Sequence, residues 1–157
     1  MIELNIPGRG YYRLKHLLLD LNGTIALDGD LLEGVEERLV RLQALVDIWL
    51  VSADTFGSAA TLGDKLGVKV SVLPEGRESA RKLEIVEKLG CDSTVCVGNG
   101  SNDVAMLEGA AIGICVIGGG EGASSSAIRA SAVVVNSIDA ALDLLLNKKR
   151  LVATLRR

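Results

Sequence analysis

Residues 14–24 read LKHLLLDLNGT: an apolar run over 14–19, a carboxylate at Asp20, and a polar turn, Asn22-Gly23-Thr24, just beyond it. A short apolar run bounded by turn residues reads as a strand buried on both faces, with Asp20 at its carboxyl end. The pattern recurs along the chain. DIWLVS over 47–52 runs into Ser52-Ala53-Asp54, a third run spans 68–73, and TVCV over 94–97 leads into Gly98-Asn99-Gly100-Ser101-Asn102-Asp103. Two more runs lie at 111–117 and 132–135. Between them Val35, Leu39, Leu42 and Leu45 recur at helical spacing, and further helical stretches cover 57–66, 75–89, about 102–108 and 138–146. Gly67 and Gly90 close two of them. Such β-α alternation argues for an α/β fold: one doubly wound parallel sheet with helices on both faces. The expected organisation is one domain over 1–157, with 1–13 as an N-terminal extension and 147–157 as a basic C-terminal tail.

Composition narrows the function. The 157 residues include 17 Lys and Arg against 20 Asp and Glu, for a net charge of −3. A mildly acidic chain lacks the clustered positive charge that a nucleic-acid backbone demands, so no nucleic-acid partner is expected. No apolar run approaches the ~20 residues of a membrane span, and Glu3 and Asn5 stand where a secretory signal would be apolar, so a cytoplasmic protein without membrane contact is expected. Cys91, Cys96 and Cys115 are odd in number and form no C-x-x-C, which excludes a fully paired framework. Cys96, Cys115 and Trp49 read as core residues. His16 is the only histidine, so a multi-histidine metal site is excluded.

Open parallel sheets gather ligands beyond the carboxyl ends of their strands. The polar residues there are Asp20 to Thr24, Ser52 to Thr55, and Gly98 to Asp103, with Lys82 near the start of the helix before the fourth strand. Carboxylate oxygens suit a hard cation, while hydroxyl, backbone N–H and ammonium groups suit phosphoryl oxygens. Each element has a plainer reading too: Asn22-Gly23 as a hairpin turn, Ser52 as a helix cap, Lys82 as a solvated charge, and the glycine-rich segment 118–122 as a loop near the site. Their joint occurrence at successive strand ends favours function.

In that order, the four segments resemble the motifs of the haloacid dehalogenase (HAD) superfamily. Among its members the resemblance is to the phosphorylation domain of P-type ATPases and to small soluble proteins named after them. It covers roughly residues 14–146. The resemblance implies that Asp20 is a nucleophile that becomes an aspartyl phosphate, with Lys82 neutralising charge beside it. Ser52, the backbone N–H of Ala53, Lys82 and Thr24 would hold phosphate, and Asn102 and Asp54 would support the site. Mg²⁺ would be bound by Asp20, Asn22, Asn99 and Asp103.

Two positions depart from the family pattern. Asn22 stands where phosphatases of the superfamily carry an acid-base aspartate, so slow hydrolysis of alkyl phosphates is expected, since such help is worth ~10²–10⁴ in rate. Asn99 replaces a magnesium-binding aspartate, so weak Mg²⁺ binding is expected. The intervals between motifs are too short for an inserted cap domain, which points to a large substrate or to a second subunit over the site, hence a homo-oligomer. The leading function is a Mg²⁺-dependent phosphohydrolase or phosphotransferase acting on a small phosphorylated compound or a macromolecule. The alternative is a catalytically weak phosphate- or nucleotide-binding regulatory module. A signalling receiver, which resembles a different motif order, fits poorly.

Overall fold

The apolar runs become the strands of one parallel sheet, and a period of two in each strand sorts its side chains between two cores. The computed structural model describes residues 1–53 and 57–157. In chain order the elements are β1 (Ile2–Ile6), β2 (Gly10–Leu14), β3 (His16–Asp20), β4 (Ala26–Leu27), β5 (Asp30–Leu31), α1 (Val35–Gln43), β6 (Asp47–Ser52), α2 (Ser58–Leu66) and β7 (Lys69–Val72). They continue with α3 (Glu78–Leu89), β8 (Thr94–Gly98), α4 (Val104–Gly109), β9 (Ile112–Val116), α5 (Ser125–Ala130), β10 (Val133–Val135), α6 (Ile138–Leu146) and α7 (Lys148–Leu155). Short 3₁₀ turns precede β8 and α4.

The main sheet has six strands in the order β10-β9-β8-β3-β6-β7, every neighbouring pair parallel. Leu17, Leu19, Ile48, Leu50, Val95 and Val97 face the larger core, against Leu39 of α1, Leu142 of α6 and Leu151 of α7. Leu18, Val51, Cys96 and Cys115 face a smaller core with Val86 of α3, Met106 of α4 and Ala127 of α5. Helices therefore cover both faces, as the alternating pattern implied. The two buried cysteines are core residues and Cys91 is exposed. Trp49 is only half-buried, with the Lys69 ammonium 4.9 Å above its ring.

Both chain ends pack onto the larger core. β1 and β2 form an antiparallel hairpin that buries Ile2, Leu4 and Ile6 in the larger core. α7 buries Leu151 and Leu155 there and leaves its basic residues outside. A second small hairpin, β4–β5, follows the Asn22-Gly23 turn. Among the described residues no inserted cap domain interrupts these elements, and no helix is long and apolar enough to cross a membrane.

The strand order sets the position of the site. From β3 the chain builds β6 and β7 on one side, then crosses to place β8, β9 and β10 on the other. The reversal lies between β3 and β8, where an open parallel sheet leaves a crevice at its carboxyl edge.

Candidate active site

Register brings the motif residues to one edge. Asp20 pairs with Val51, one residue before Ser52, while Leu19 pairs with Val97, just before Gly98 and Asn99. Asp20 ends β3 and Asn99 follows the end of β8, the two strands that flank the crevice. Lys82 reaches it from the second turn of α3 and is 1% exposed, an extreme burial for a lysine.

A buried lysine needs compensation, and two carboxylates provide it. Lys82 Nζ donates to Asp20 Oδ1 and to Asp103 Oδ1, both at 2.6 Å. Asp103 is fully buried, and its other oxygen accepts the backbone N–H groups of Asn99 and Gly100, each at 2.9 Å. Both oxygens of Asp103 are thus hydrogen-bonded. The geometry makes Asp103 a direct partner of the lysine.

Thr24 is also fully buried. Its hydroxyl lies 3.1 Å from both Asp20 Oδ2 and Asn99 Oδ1 and links the two strand ends. Asn22 is exposed at the mouth of the crevice, and Ser52 is buried at the neighbouring strand end. Ala53 follows Ser52, half-buried. Asn102 lies exposed in the turn before α4, its side-chain oxygen folded over Gly100. Asp54 lies outside the described residues. His16 sits at the opposite, amino end of β3, 3.7 Å from Asp47, and takes no part in the site.

Electrostatics follow from this packing. Burial, reinforced by Asp103, pushes the Asp20 carboxyl up to about 6, against the opposing pull of Lys82 and Thr24. Burial alone would lower Lys82, but the two carboxylates outweigh it and hold the ammonium above its usual range. Asp20, Lys82 and Asp103 together carry a net charge of about −1 when ionised. A phosphate dianion would be repelled from this group without a further cation.

Oxygen donors at this edge include Asp20, the Asn99 side-chain carbonyl, which lies against the Thr24 hydroxyl, and the main chain of the exposed Asn22 turn. They are all hard, as Mg²⁺ requires, and too few to replace all of its water. Among the described residues no three His, Cys, Asp or Glu side chains gather as a ready metal cluster. A cation here would therefore keep water or share phosphate oxygens.

Sequence reasoning did not single out Glu121. Its carboxylate lies against Gly23 beside Asn99. The only signal was its place within the glycine-rich segment after β9.

No family model matches the chain. The chain is 46% identical over 93 residues to the uncharacterized protein MJ0073 of Methanocaldococcus jannaschii, across 57% of this chain and 99% of that protein. It is 59% identical over 39 residues to MJ0072 of the same organism, across 25% of this chain and 89% of that protein. Among solved structures it is similar to a phospho-aspartyl intermediate analogue of phosphoserine phosphatase, with a TM-score of 0.70 and 16% identity over 87% of this chain and 99% of that one. The 3-deoxy-D-manno-octulosonate 8-phosphate phosphatase of Moraxella catarrhalis, in complex with magnesium, phosphate and KDO, gives a TM-score of 0.68 at 14% identity, covering 91% and 94%. A Streptomyces avermitilis MA-4680 protein assigned to the HAD family hydrolases gives 0.67 at 18% identity, covering 92% and 85%. At these identities the likeness is one of fold. The chain therefore belongs to the same family as MJ0073, and its fold is that of the haloacid dehalogenase superfamily, with no cap domain among the described residues.

Proposed function

We propose that this chain is a Mg²⁺-assisted phosphohydrolase or phosphotransferase that works through an aspartyl phosphate on Asp20. The observation that carries the reading is the buried Lys82 ammonium, held 2.6 Å from both Asp20 and Asp103 at the topological switch of the sheet. The solved structures of similar fold include phosphatases, one caught as an analogue of a phospho-aspartyl intermediate, which supports the same chemistry here.

In this reading Asp20 attacks phosphorus in line, the bond to the leaving oxygen breaks, and that oxygen departs with the electron pair. Water then attacks phosphorus, which releases phosphate and restores the Asp20 carboxylate. Lys82 offsets charge on the nucleophile, and Asp103 fixes Lys82. Thr24 orients Asp20 through its second oxygen, while Ser52 and the Ala53 N–H receive phosphoryl oxygens. Asp20, the Asn22 carbonyl and Asn99 would hold the cation, which supplies positive charge between nucleophile and phosphate. Asn22 can neither protonate an alkoxide nor activate water. Substrates with good leaving groups, such as acyl, aryl or nucleotide phosphates, are therefore favoured, in keeping with the P-type ATPase resemblance. The uncapped edge suits a macromolecular substrate or a second copy of the chain.

An aryl phosphate assay with Mg²⁺, comparing the parent with Asp20→Asn, tests this. Turnover in the parent and none in the variant is expected, whereas equal turnover in both would contradict it. Asn22 also gives the regulatory-module reading a foothold. Phosphate binding without turnover or a covalent adduct would favour that reading.

A further inference from the structure

We infer that Glu121 supplies the cation with the carboxylate that position 99 lacks, an inference that rests on the phosphoryl-transfer reading of the site. Segment 118–122, GGGEG, lies backbone to backbone against the turn that follows Asp20. A Cβ on Gly119 would fall 1.8 Å from the carbonyl oxygen of Gly23, so only glycine permits this approach. The far end of the segment is tied to residue 99. Asn99 Nδ2 donates to the Gly122 carbonyl at 2.8 Å, and the Ser124 N–H donates to the Asn99 carbonyl at 2.9 Å.

Between these anchors Glu121, exposed to solvent, lays its carboxylate beside Gly23. A Cβ on Gly23, whose φ is +76°, would meet Glu121 Oε2 at 2.3 Å and Asn99 Nδ2 at 2.8 Å. The Glu121 carboxylate and the Asn99 amide thus flank one point beside the Asn22-Gly23 turn, whose main chain belongs to the proposed cation set.

The identity of residue 99 then has a physical reason. A carboxylate there could accept the Thr24 hydroxyl but would set an anionic oxygen against the Gly122 carbonyl and drive away the loop that carries Glu121. Asparagine satisfies both neighbours, since Oδ1 lies 3.1 Å from Thr24 Oγ1 while Nδ2 holds Gly122. The negative charge is moved from the strand end to the loop. With Glu121 as a ligand, the edge would offer a divalent ion two carboxylates, Asp20 and Glu121. Weak Mg²⁺ binding, expected from Asn99 alone, is therefore not expected of the folded chain.

Calorimetric titration of the full chain with Mg²⁺, with the Mg²⁺-induced rise in Tm as a second readout, tests this without reference to activity. Loss of a carboxylate should weaken Mg²⁺ binding by about 10-fold or more in Glu121→Gln, by analogy with the ~10–100-fold cost of losing groups that support a metal. Glu87→Gln, an exposed change on α3 of equal charge, should bind as the parent does. The double variant Glu121→Gln/Asn99→Asp should recover most of the lost affinity, because the carboxylate returns to the strand end. Parent-like binding in Glu121→Gln, an equal loss in Glu87→Gln, or a double variant no tighter than Glu121→Gln would overturn the inference. Intact-mass detection of the Asp20 adduct keeps the two claims apart. A phosphorylated parent with unchanged Mg²⁺ binding in Glu121→Gln removes only the role of Glu121, and an unphosphorylated parent removes only the phosphoryl-transfer reading.

Discussion

Lys82 and Asp103 are joined by a 2.6 Å hydrogen bond and neither reaches solvent. The pair fixes the ammonium before any substrate arrives, and Asp103 is in turn fixed by two backbone N–H groups. Preorganisation of this kind spares the site the cost of orienting charge during reaction.

Lys82→Met should therefore destabilise the fold as well as the site. It leaves Asp20 and Asp103 facing each other in a buried setting, a loss typical of a broken buried ion pair, about 3–5 kcal/mol. The urea midpoint at neutral pH checks this, with an unchanged m-value expected.

Asp20→Asn should have the opposite effect on the metal-free protein. Asp20 titrates near 6 when folded, above its ordinary 3.8, so between those values the native state binds more protons than the unfolded one. Stability of the parent should therefore fall as pH rises through about 4 to 6. The variant should lack that fall and be more stable at pH 7, by on the order of 3 kcal/mol. Thermal melts of both proteins in chelator, from pH 4 to 7, measure the difference.

Asn22→Asp should restore a proton acceptor at the exposed mouth of the crevice. The aspartyl phosphate of the variant should then decay about 10²–10⁴ times faster than that of the parent. The decay of the mass adduct after removal of the phosphoryl donor gives the rate. Equal rates would remove Asn22 as the cause of slow hydrolysis.

Leu151→Ala tests the C-terminal helix. Leu151 is fully buried in the larger core although basic residues surround it in sequence. A loss of about 2–5 kcal/mol, read from chemical denaturation, is expected for such a truncation. A solvated tail would show almost none.

The sheet was legible because buried parallel strands are written as local apolar runs. The strand Asp47–Ser52 and the helix Ile138–Leu146 have the limits that hydrophobic spacing gives them. The N-terminal hairpin was legible only in part. Ile2, Leu4 and Ile6 alternate with polar residues and carry a period-two signal, but only the hairpin partner shows which face is buried. In α7 the basic residues obscure the spacing of Leu151 and Leu155. The strand-end rule located Asp20, Ser52, Asn99 and Asp103. It could not divide their tasks, because the bonds from Lys82 to Asp103 and from Thr24 to Asp20 depend on side-chain directions set by tertiary packing. Glu121 reaches the site only because its loop folds back on Gly23, a contact almost a hundred residues distant in sequence.

The central claim is that Asp20 accepts a phosphoryl group. The most direct test is intact-mass analysis after incubation with Mg²⁺ and either ATP or acetyl phosphate. A gain of about 80 Da, one phosphoryl group, is predicted in the parent and none in Asp20→Asn. The same gain in Asp20→Asn, or no gain in the parent with either donor, would contradict the account.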